Sequence, residues 1–225
     1  METLLIDSHN TNSKKGFFVS FEGGEGVGKS TQINLLKSYF LKKKVNVIST
    51  REPGGTEEGE FIRKFLVSGD KHSWDPYSEL LLFNALRREH INKIINPSLK
   101  NGDIVLCDRF IDSTIIYQGV AGSVNEELLL NLHRTFCYDL FPDITFFLSL
   151  NPKLGLARTK FRNNNNNENR FEKMGLLYHQ KIQDGYKALS KKYSNRFIEI
   201  NAELTVEQIS EEINKHVNSI IQSND

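Results

Sequence analysis

The sequence predicts an α/β fold in which one five-stranded parallel sheet is flanked by helices. From Gly16 onward, short apolar runs alternate with longer amphipathic segments, which is typical of strands joined by crossover helices. Each short run is rich in branched or aromatic residues and is bounded by turn or charged residues, as strands are. The chain has 225 residues and shows neither an internal repeat nor a linker, so one domain over residues 16–222 is expected.

The predicted elements follow this alternation in order. The strands lie at residues 16–22, 45–50, 103–109, 143–150 and 196–201. The helices fill the gaps, at residues 29–42, 57–67, 75–100, 125–136, 152–161, 170–192 and 205–221. The run 163–169 reads NNNNNEN and is too polar to bury apolar surface, so it is predicted to be a mobile loop.

Composition narrows the class of protein. Hydrophobic residues make up 38% of the chain and charged residues 25%, which is ordinary for a globular protein and too polar for a membrane span. The net charge of +1 gives no broad field, so neither nucleic acid nor a membrane is expected as a partner. Cys107 and Cys137 fit buried thiols in a reducing cytoplasm. Residues 1–15 lack the apolar core of a secretory signal and are expected to form a disordered tail.

A glycine-rich loop follows the first predicted strand and opens the first predicted helix. It matches G-x-x-x-x-G-K-[ST], whose glycines let backbone N–H groups point inward toward ATP phosphates. Lys29 is expected to reach the outer phosphates and Ser30 to offer its hydroxyl to Mg²⁺. The loop indicates a three-layer sandwich of the P-loop NTPase type. The predicted ATP-binding residues are Gly23, Gly24, Glu25, Gly26, Val27, Gly28, Lys29, Ser30 and Thr31.

The glycine loop alone does not predict which reaction ATP serves, so other segments of the chain are needed for that prediction. A guanine-nucleotide switch needs an Asn-Lys-x-Asp base reader, but the Asn-Lys pairs at Asn92 and Asn214 are followed by Ile-Ile and His-Val. A guanine switch is therefore disfavoured. The six histidines show no ligand-like spacing, so no zinc site is proposed.

The string after the second strand is highly specific. It reads Thr50-Arg51-Glu52-Pro53-Gly54-Gly55-Thr56, and together with the glycine loop it resembles the thymidylate kinase family over about residues 16–200. The resemblance implies transfer of the γ-phosphoryl group of Mg-ATP to dTMP for dTTP synthesis, by a homodimer. Arg51 lies at a strand's carboxyl end with a planar fork suited to phosphate, and it is assigned to the dTMP phosphate, with Pro53 beside it. A surface arginine in a Pro-Gly turn is the alternative.

Two further motifs resemble the family's nucleotide-binding elements. In the helix containing LFNALRR, the resemblance implies that Phe83 stacks on thymine and Arg87 donates to its O4 edge. These two residues are four apart and share a helix face, although core packing alone also accounts for Phe83. At the end of the third strand, Asp108 is expected to hold Mg²⁺ and Arg109 to clamp the acceptor phosphate. A local ion pair is the alternative for Asp108 and Arg109.

The segment STIIYQG is similar to a family helix that meets the base and sugar. The resemblance implies thymine contacts for Ser113, Thr114 and Gln118, and a Tyr117 ring that packs under the deoxyribose and disfavours a 2′-hydroxyl. Glu25 in the glycine loop matches an acidic residue that faces the acceptor sugar. A solvated loop carboxylate remains open for Glu25.

Phosphoryl transfer also needs a cation at the moving group, and in the family an arginine supplies it from the glycine loop or from a lid. The loop holds no arginine, so the lid at about residues 158–172 must provide it. Arg158, Arg162 and Arg170 flank the asparagine run, and Arg158 and Arg162 are favoured. Lys29 and Arg109 complete the predicted catalytic set. Solvation of a surface loop is the other explanation for the lid arginines.

Two other functions are compatible with parts of the sequence. Another P-loop deoxynucleotide or deoxynucleoside kinase would share the glycine loop but would lack the string from Thr50 to Thr56. A nucleotide-dependent switch or binding protein would respond to ATP without passing phosphate to an acceptor.

Overall fold

A computed structural model describes residues 16–69, 74–162 and 170–221. Its five strands, each within or overlapping a predicted range, are β1 (Phe17–Glu22), β2 (Val47–Arg51), β3 (Ile104–Asp108), β4 (Ile144–Ser149) and β5 (Phe197–Asn201). They form one all-parallel sheet in the order β2-β3-β1-β4-β5. The predicted fold class is confirmed.

The described helices cover both faces of the sheet. Their N-termini follow local sequence signals, because the side chains of Thr56, Asp75 and Asn125 each accept a hydrogen bond from the first turn of a helix. Two π-helical segments, Ile91–Ile95 and Ile115–Ala121, continue helices with a wider hydrogen-bond register. The α-helices are α1 (Lys29–Lys42), α2 (Glu57–Val67), α3 (Pro76–His90), α4 (Asn96–Asn101), α5 (Ile111–Thr114), α6 (Glu126–Phe136), α7 (Pro152–Arg162), α8 (Leu176–Lys192) and α9 (Val206–Ile221).

The sheet divides the apolar core in two. Alternate residues of each strand point to opposite faces, so Phe18 packs with the cluster under α8 while Val19 packs with the cluster under α1 and α9. Phe40 and Ile213 are buried in the second cluster, and Tyr186 is buried in the first. This arrangement gives the three layers of helix, sheet and helix.

The strand order places a crevice above β1. This strand pairs with β3 on one side and β4 on the other, with Phe17 opposite Ile104 and Val19 opposite Ile144. Because the strand order reverses at β1, the loops at its carboxyl end diverge and leave room for ligands.

Two helices differ from their predicted bounds by more than one residue. The helix predicted at 75–100 is interrupted by the π-helical segment Ile91–Ile95, and Pro97, which has no N–H to donate, lies two residues after the end of that segment. The helix predicted at 170–192 begins only at Leu176. Before it, the backbone N–H of Arg170 donates to Val67 O at 3.0 Å, and Gly175 is extended, so the intervening chain forms turns.

Several expectations lie outside the described residues. These are the disordered tail at 1–15, the mobile loop at 163–169 and the domain end at 222. None of the helices in the described ranges is both long enough and apolar enough to cross a membrane.

Candidate functional site

The glycine loop joins the carboxyl end of β1 to α1. Gly23, Gly26 and Gly28 have φ angles of 137°, 69° and 97°, which side-chain-bearing residues rarely adopt. A Cβ on Gly26 would also lie 2.2 Å from the carbonyl oxygen of Gly155 in α7. The loop therefore needs glycine both for its backbone conformation and for its close contact with α7.

Lys29 is folded back over the loop. Its Nζ donates to the carbonyl oxygens of Gly24 at 3.0 Å and Gly23 at 3.4 Å. Burial lowers the pKa of Lys29, and the neighbouring Arg109 cation lowers it further. The ammonium group thus lies against the concave side of the loop, where phosphate oxygens are expected.

A hydroxyl and a carboxylate meet beside the loop. Ser30 Oγ donates to Asp108 Oδ2 at 3.0 Å. Both groups line an open cleft of about 800 Å³ that also holds Arg51 and Glu60. Hard oxygen donors this close together suit Mg²⁺ when nucleotide oxygens complete its shell, so the predicted pair fits the ion.

Arg109 is held in a strained but well-bonded position. Its φ of 70° is in the left-handed region, and its guanidinium donates to Gly23 O at 3.0 Å, Ser113 Oγ at 3.2 Å and Glu25 Oε1 at 2.8 Å. Tyr117 OH donates to the same Glu25 oxygen at 2.9 Å. These bonds join the glycine loop to the segment after β3.

Glu25 is ionised in this setting. Burial raises its pKa, but the Arg109 and Lys29 cations and the Tyr117 hydroxyl outweigh burial and lower the pKa to about 2. The carboxylate therefore accepts hydrogen bonds and carries no proton near neutral pH.

One pocket of about 640 Å³ gathers the predicted acceptor residues. All of them except Arg51 line it. Phe83 is 8% exposed, so it is a core residue that also forms part of the pocket wall. The predicted residues brought together are Glu25, Pro53, Phe83, Arg87, Arg109, Ser113, Thr114, Tyr117 and Gln118.

Arg87 is almost completely buried in the wall of this pocket. Its Nε donates to Glu52 Oε2 and its Nη2 to Thr114 Oγ1, both at 2.7 Å. Its Nη1 is buried without a hydrogen-bond partner among the described residues. A buried guanidinium with an unpaired NH₂ group is costly unless a ligand accepts hydrogen bonds from that group.

Arg51 lies in the neighbouring cleft rather than in the pocket. It makes a two-point contact with Glu60, from Nε to Oε1 at 3.0 Å and from Nη2 to Oε2 at 2.5 Å. These hydrogen bonds from Arg51 lower the pKa of Glu60 to about 2. Arg51 therefore lies on the side of Ser30 and Asp108, where the phosphates are expected.

The lid arginines have different surroundings. Arg158 Nη1 donates to Ala202 O at 3.2 Å, next to the end of β5. The side chain of Arg162 and the asparagine run lie outside the described part of the chain. Arg170 is 5% exposed, pairs with Glu79, and donates to Leu66 O at 2.7 Å. The structure thus does not bring Arg170 to the glycine loop.

Several pocket residues were missed by sequence reasoning. The sequence does not predict a role for Glu52, which lies inside the specific string after β2 and binds both Arg87 and His90. Arg63 lines the pocket and donates to Pro53 O at 2.7 Å, and Phe171 packs edge-on against Tyr117 at 5.3 Å between ring centroids. For Glu52 the string itself was a usable signal, whereas Arg63 depends on how α2 packs.

A buried carboxylate supports the site from below. Glu22, the last residue of β1, accepts from Phe110 N at 2.8 Å, Ser113 Oγ at 2.6 Å and Tyr186 OH at 2.7 Å. Burial, followed by the Asp112 charge, raises its pKa to about 7. Glu22 therefore links β1 to α8 and to the segment after β3, which carries the pocket residues Phe110 and Ser113.

Comparison with known proteins identifies the relatives of this arrangement. A family model described as thymidylate kinase matches residues 21–213. A thymidylate kinase of Rickettsia bellii is 45% identical over 208 residues, covering 92% of this chain and 98% of the relative. One of Orientia tsutsugamushi is 39% identical over 217 residues, covering 95% and 98%. The crystal structure of thymidylate kinase from Ehrlichia chaffeensis superposes with a TM-score of 0.72 at 34% identity, covering 90% of this chain and 98% of that chain.

Proposed function

The chain belongs to the thymidylate kinase family, and from that premise we propose that it passes the γ-phosphoryl group of ATP directly to dTMP. The product is dTDP, which serves dTTP synthesis. The proposal depends most on one atom, the buried Nη1 of Arg87, which lacks a partner among the described residues. A keto oxygen such as thymine O4 would accept from it. The alternative of another P-loop deoxynucleotide or deoxynucleoside kinase is not favoured.

The acceptor is proposed to occupy the pocket of about 640 Å³. Phe83 offers a ring for stacking on thymine, a contact worth about 1–3 kcal/mol that does not select the base. Selectivity is then assigned to polar groups on Arg87, Ser113, Thr114 and Gln118. Tyr117 is proposed to pack against the deoxyribose, with the ionised Glu25 near the sugar.

The donor is proposed to lie along the glycine loop with its outer phosphates at Lys29. Ser30 and Asp108 would hold Mg²⁺, which supplies neutralising charge to the phosphate oxygens when it is bound. Thr31, at the start of α1, extends the same row of donors. Arg51 and Arg109, from the ends of β2 and β3, would bind the acceptor phosphate from two directions.

The chemistry makes little demand for a general base. The dTMP phosphate is already an anion, so its oxygen attacks without losing a proton. Glu25, whose pKa is about 2, is ionised and occupied by Arg109 and Tyr117, and this suits a positioning role. The protein's main tasks are alignment of two polyanions and stabilisation of charge on the moving group.

The remaining charge is proposed to come from the lid. Arg158 and Arg162 are the favoured residues, because α7 begins next to the glycine loop and carries both toward the run at 163–169. The buried contacts of Arg170 support a different role for that residue.

Product analysis with Mg-ATP and dTMP, dUMP or thymidine tests this function. We expect dTDP from dTMP, weaker turnover of dUMP, and no turnover of thymidine. One methyl group in an apolar pocket is worth about 1–3 kcal/mol, so dUMP should be discriminated by roughly 10–200-fold and still react. A rate of ATP hydrolysis that is the same with and without dTMP would contradict the proposal and favour a switch protein.

We also propose a homodimer in a reducing cytoplasm. Helices α3 and α6 pack together and expose apolar side chains, including Leu81 at 58% and Phe136 at 47%. Both cysteines are buried and free, in keeping with a reducing compartment. Sedimentation equilibrium is expected to give twice the chain mass, and Leu81→Glu to shift the mass toward one chain. A single-chain mass for the unaltered protein would refute the dimer.

A further inference from the structure

A row of buried polar groups runs from the lid to the acceptor pocket. Gln118 Nε2 donates to Glu79 Oε2 at 2.9 Å, and Arg170 Nη2 donates to the other oxygen, Glu79 Oε1. Gln118, Glu79 and Arg170 are 3%, 7% and 5% exposed. Of these three residues, Gln118 lines the pocket, and it is the pocket residue that Glu79 contacts by a hydrogen bond.

Arg170 is fixed by several elements at once. Besides Glu79 on α3, its Nη1 donates to Leu66 O at the end of α2, and its backbone N–H donates to Val67 O. Its guanidinium carbon lies 4.5 Å from the centroid of the Phe171 ring, and Phe171 lines the pocket. A group held this firmly at the base of the lid is poorly suited to reach a phosphate.

The charges dictate which way the Gln118 amide points. A carboxylate paired with a guanidinium can only accept hydrogen bonds, so Gln118 must direct its NH₂ group at Glu79. Its carbonyl oxygen has no hydrogen-bond partner among the described residues. The Gln118 carbonyl oxygen is therefore available in the pocket as a hydrogen-bond acceptor for a ligand.

We propose that Arg170 and Glu79 are positioning residues that set the Gln118 amide so that it accepts the N3–H of thymine and rejects cytosine. This inference rests on the proposed function. Thymine N3 carries a proton, whereas cytosine N3 is itself an acceptor and would face the Gln118 carbonyl oxygen. Arg170 and Glu79 thus contribute to base selection indirectly, through Gln118. Arg170 has this role and does not stabilise the moving phosphoryl group.

The test is a single isosteric change, Glu79→Gln. Arg170 then binds the new amide oxygen, the new NH₂ group faces Gln118, and Gln118 must turn its own NH₂ group into the pocket. We expect kcat/KM for dTMP to fall at least about tenfold, mainly through KM, while kcat/KM for dCMP holds or rises. The dTMP to dCMP ratio should narrow without inverting, because Arg87 still disfavours the cytosine amino group.

Two further variants give a control and a rescue. Glu89→Gln, a change of the same kind at an exposed position of α3, should leave the ratio unchanged. The double variant Glu79→Gln with Gln118→Glu restores an acceptor to the pocket and should recover at least part of the ratio. A ratio that is unchanged in Glu79→Gln, or that the double variant fails to recover, would overturn the proposal.

Arg170→Met provides a second route if Glu79→Gln does not fold. A positioning role predicts a KM for dTMP raised about tenfold with kcat within about threefold. A kcat lowered about a hundredfold or more at unchanged KM would assign Arg170 to the moving phosphoryl group and sink the inference. Activity of the unaltered enzyme on dTMP is measured first, since its absence would refute the proposed function instead.

Discussion

At the scale of single residues, Glu22 shows how much the site depends on a side chain that no ligand is expected to touch. It accepts hydrogen bonds from the backbone of Phe110 and from the hydroxyls of Ser113 and Tyr186. All three partners are donors, which favours the ionised carboxylate and lowers the pKa of Glu22. Burial and the Asp112 charge have the larger effect and raise this pKa to about 7. The folded protein therefore holds a proton on Glu22 more tightly than the unfolded chain does.

This difference predicts a pH dependence of stability. Because the folded pKa of Glu22 is raised from 4.5 to about 7, its contribution is fully present below pH 4.5 and is lost as pH rises through 7. Between pH 5 and pH 8 the free energy of unfolding should fall by up to about 3 kcal/mol more in the unaltered protein than in Glu22→Gln. Urea unfolding at several pH values measures this, with the exposed Glu203→Gln as control. Parallel pH profiles for the unaltered protein and Glu22→Gln would contradict it.

The acceptor residues show what sequence can predict at this scale. The family resemblance implies thymine contacts for Phe83 and Arg87, their spacing of four places them on one helix face, and both line the pocket. Glu52 and Arg63 were missed because their roles depend on partners far along the chain or on another element's packing. A local sequence motif predicts which side chains lie near the site. It does not predict the hydrogen bonds that those side chains make with residues distant in sequence.

At the scale of elements, the glycine loop has a backbone that few residues other than glycine can adopt. Gly26 combines a φ of 69° with a close approach to α7, whereas Gly24 has an ordinary φ and open space where a Cβ would be. The two glycines are two residues apart, so they separate the effect of strain from the effect of position in the loop.

Gly26→Ala is therefore expected to impair ATP use far more than Gly24→Ala. The left-handed φ costs about 1–2 kcal/mol for a residue with a Cβ, and the contact with Gly155 O forces a further shift of the loop. We expect KM for ATP to rise at least about tenfold in Gly26→Ala and less in Gly24→Ala. Steady-state kinetics with varied ATP measures this, and equal effects in both variants would refute the strain argument.

The sequence predicts the strand positions and most helix bounds, because each strand is a short apolar run that turn or charged residues bound on both sides. The helix predicted at 75–100 lacked its π-helical segment, since no periodicity reports a widened hydrogen-bond register ahead of Pro97. The segment Ile111–Ala121 was recognised as helical only by resemblance. Its residues from Ile115 to Gly119 are all buried, so it offers no polar face to set a helical period.

At the scale of the whole molecule, the proposed reaction needs the lid to bring charge across the crevice. Arg158 and Arg162 lie on α7, which begins near the glycine loop and is held to it through the contact of Gly155 with Gly26. The loop that we propose to bind ATP phosphates and the helix that carries these arginines are thus in direct contact.

Arg158→Ala or Arg162→Ala is expected to lower kcat while leaving KM for dTMP nearly unchanged. An arginine that stabilises the moving phosphoryl group is worth about 10³–10⁵ in rate, or roughly 4–7 kcal/mol of barrier. Pre-steady-state or steady-state turnover with saturating ATP measures it. Unchanged turnover in both single variants would remove the lid arginines from the mechanism.

Two adjacent residues at the end of β3 contact different parts of the candidate site. Asp108, which accepts a hydrogen bond from Ser30, lines the open cleft. Arg109, the next residue in the chain, donates to Glu25 and lines the acceptor pocket. In the proposed reaction, the spacing between the two nucleotides would therefore be fixed partly by covalent geometry, because one peptide bond joins the two anchoring residues. A one-residue insertion after position 108 would change the distance over which the phosphoryl group must travel, even if each nucleotide still bound normally.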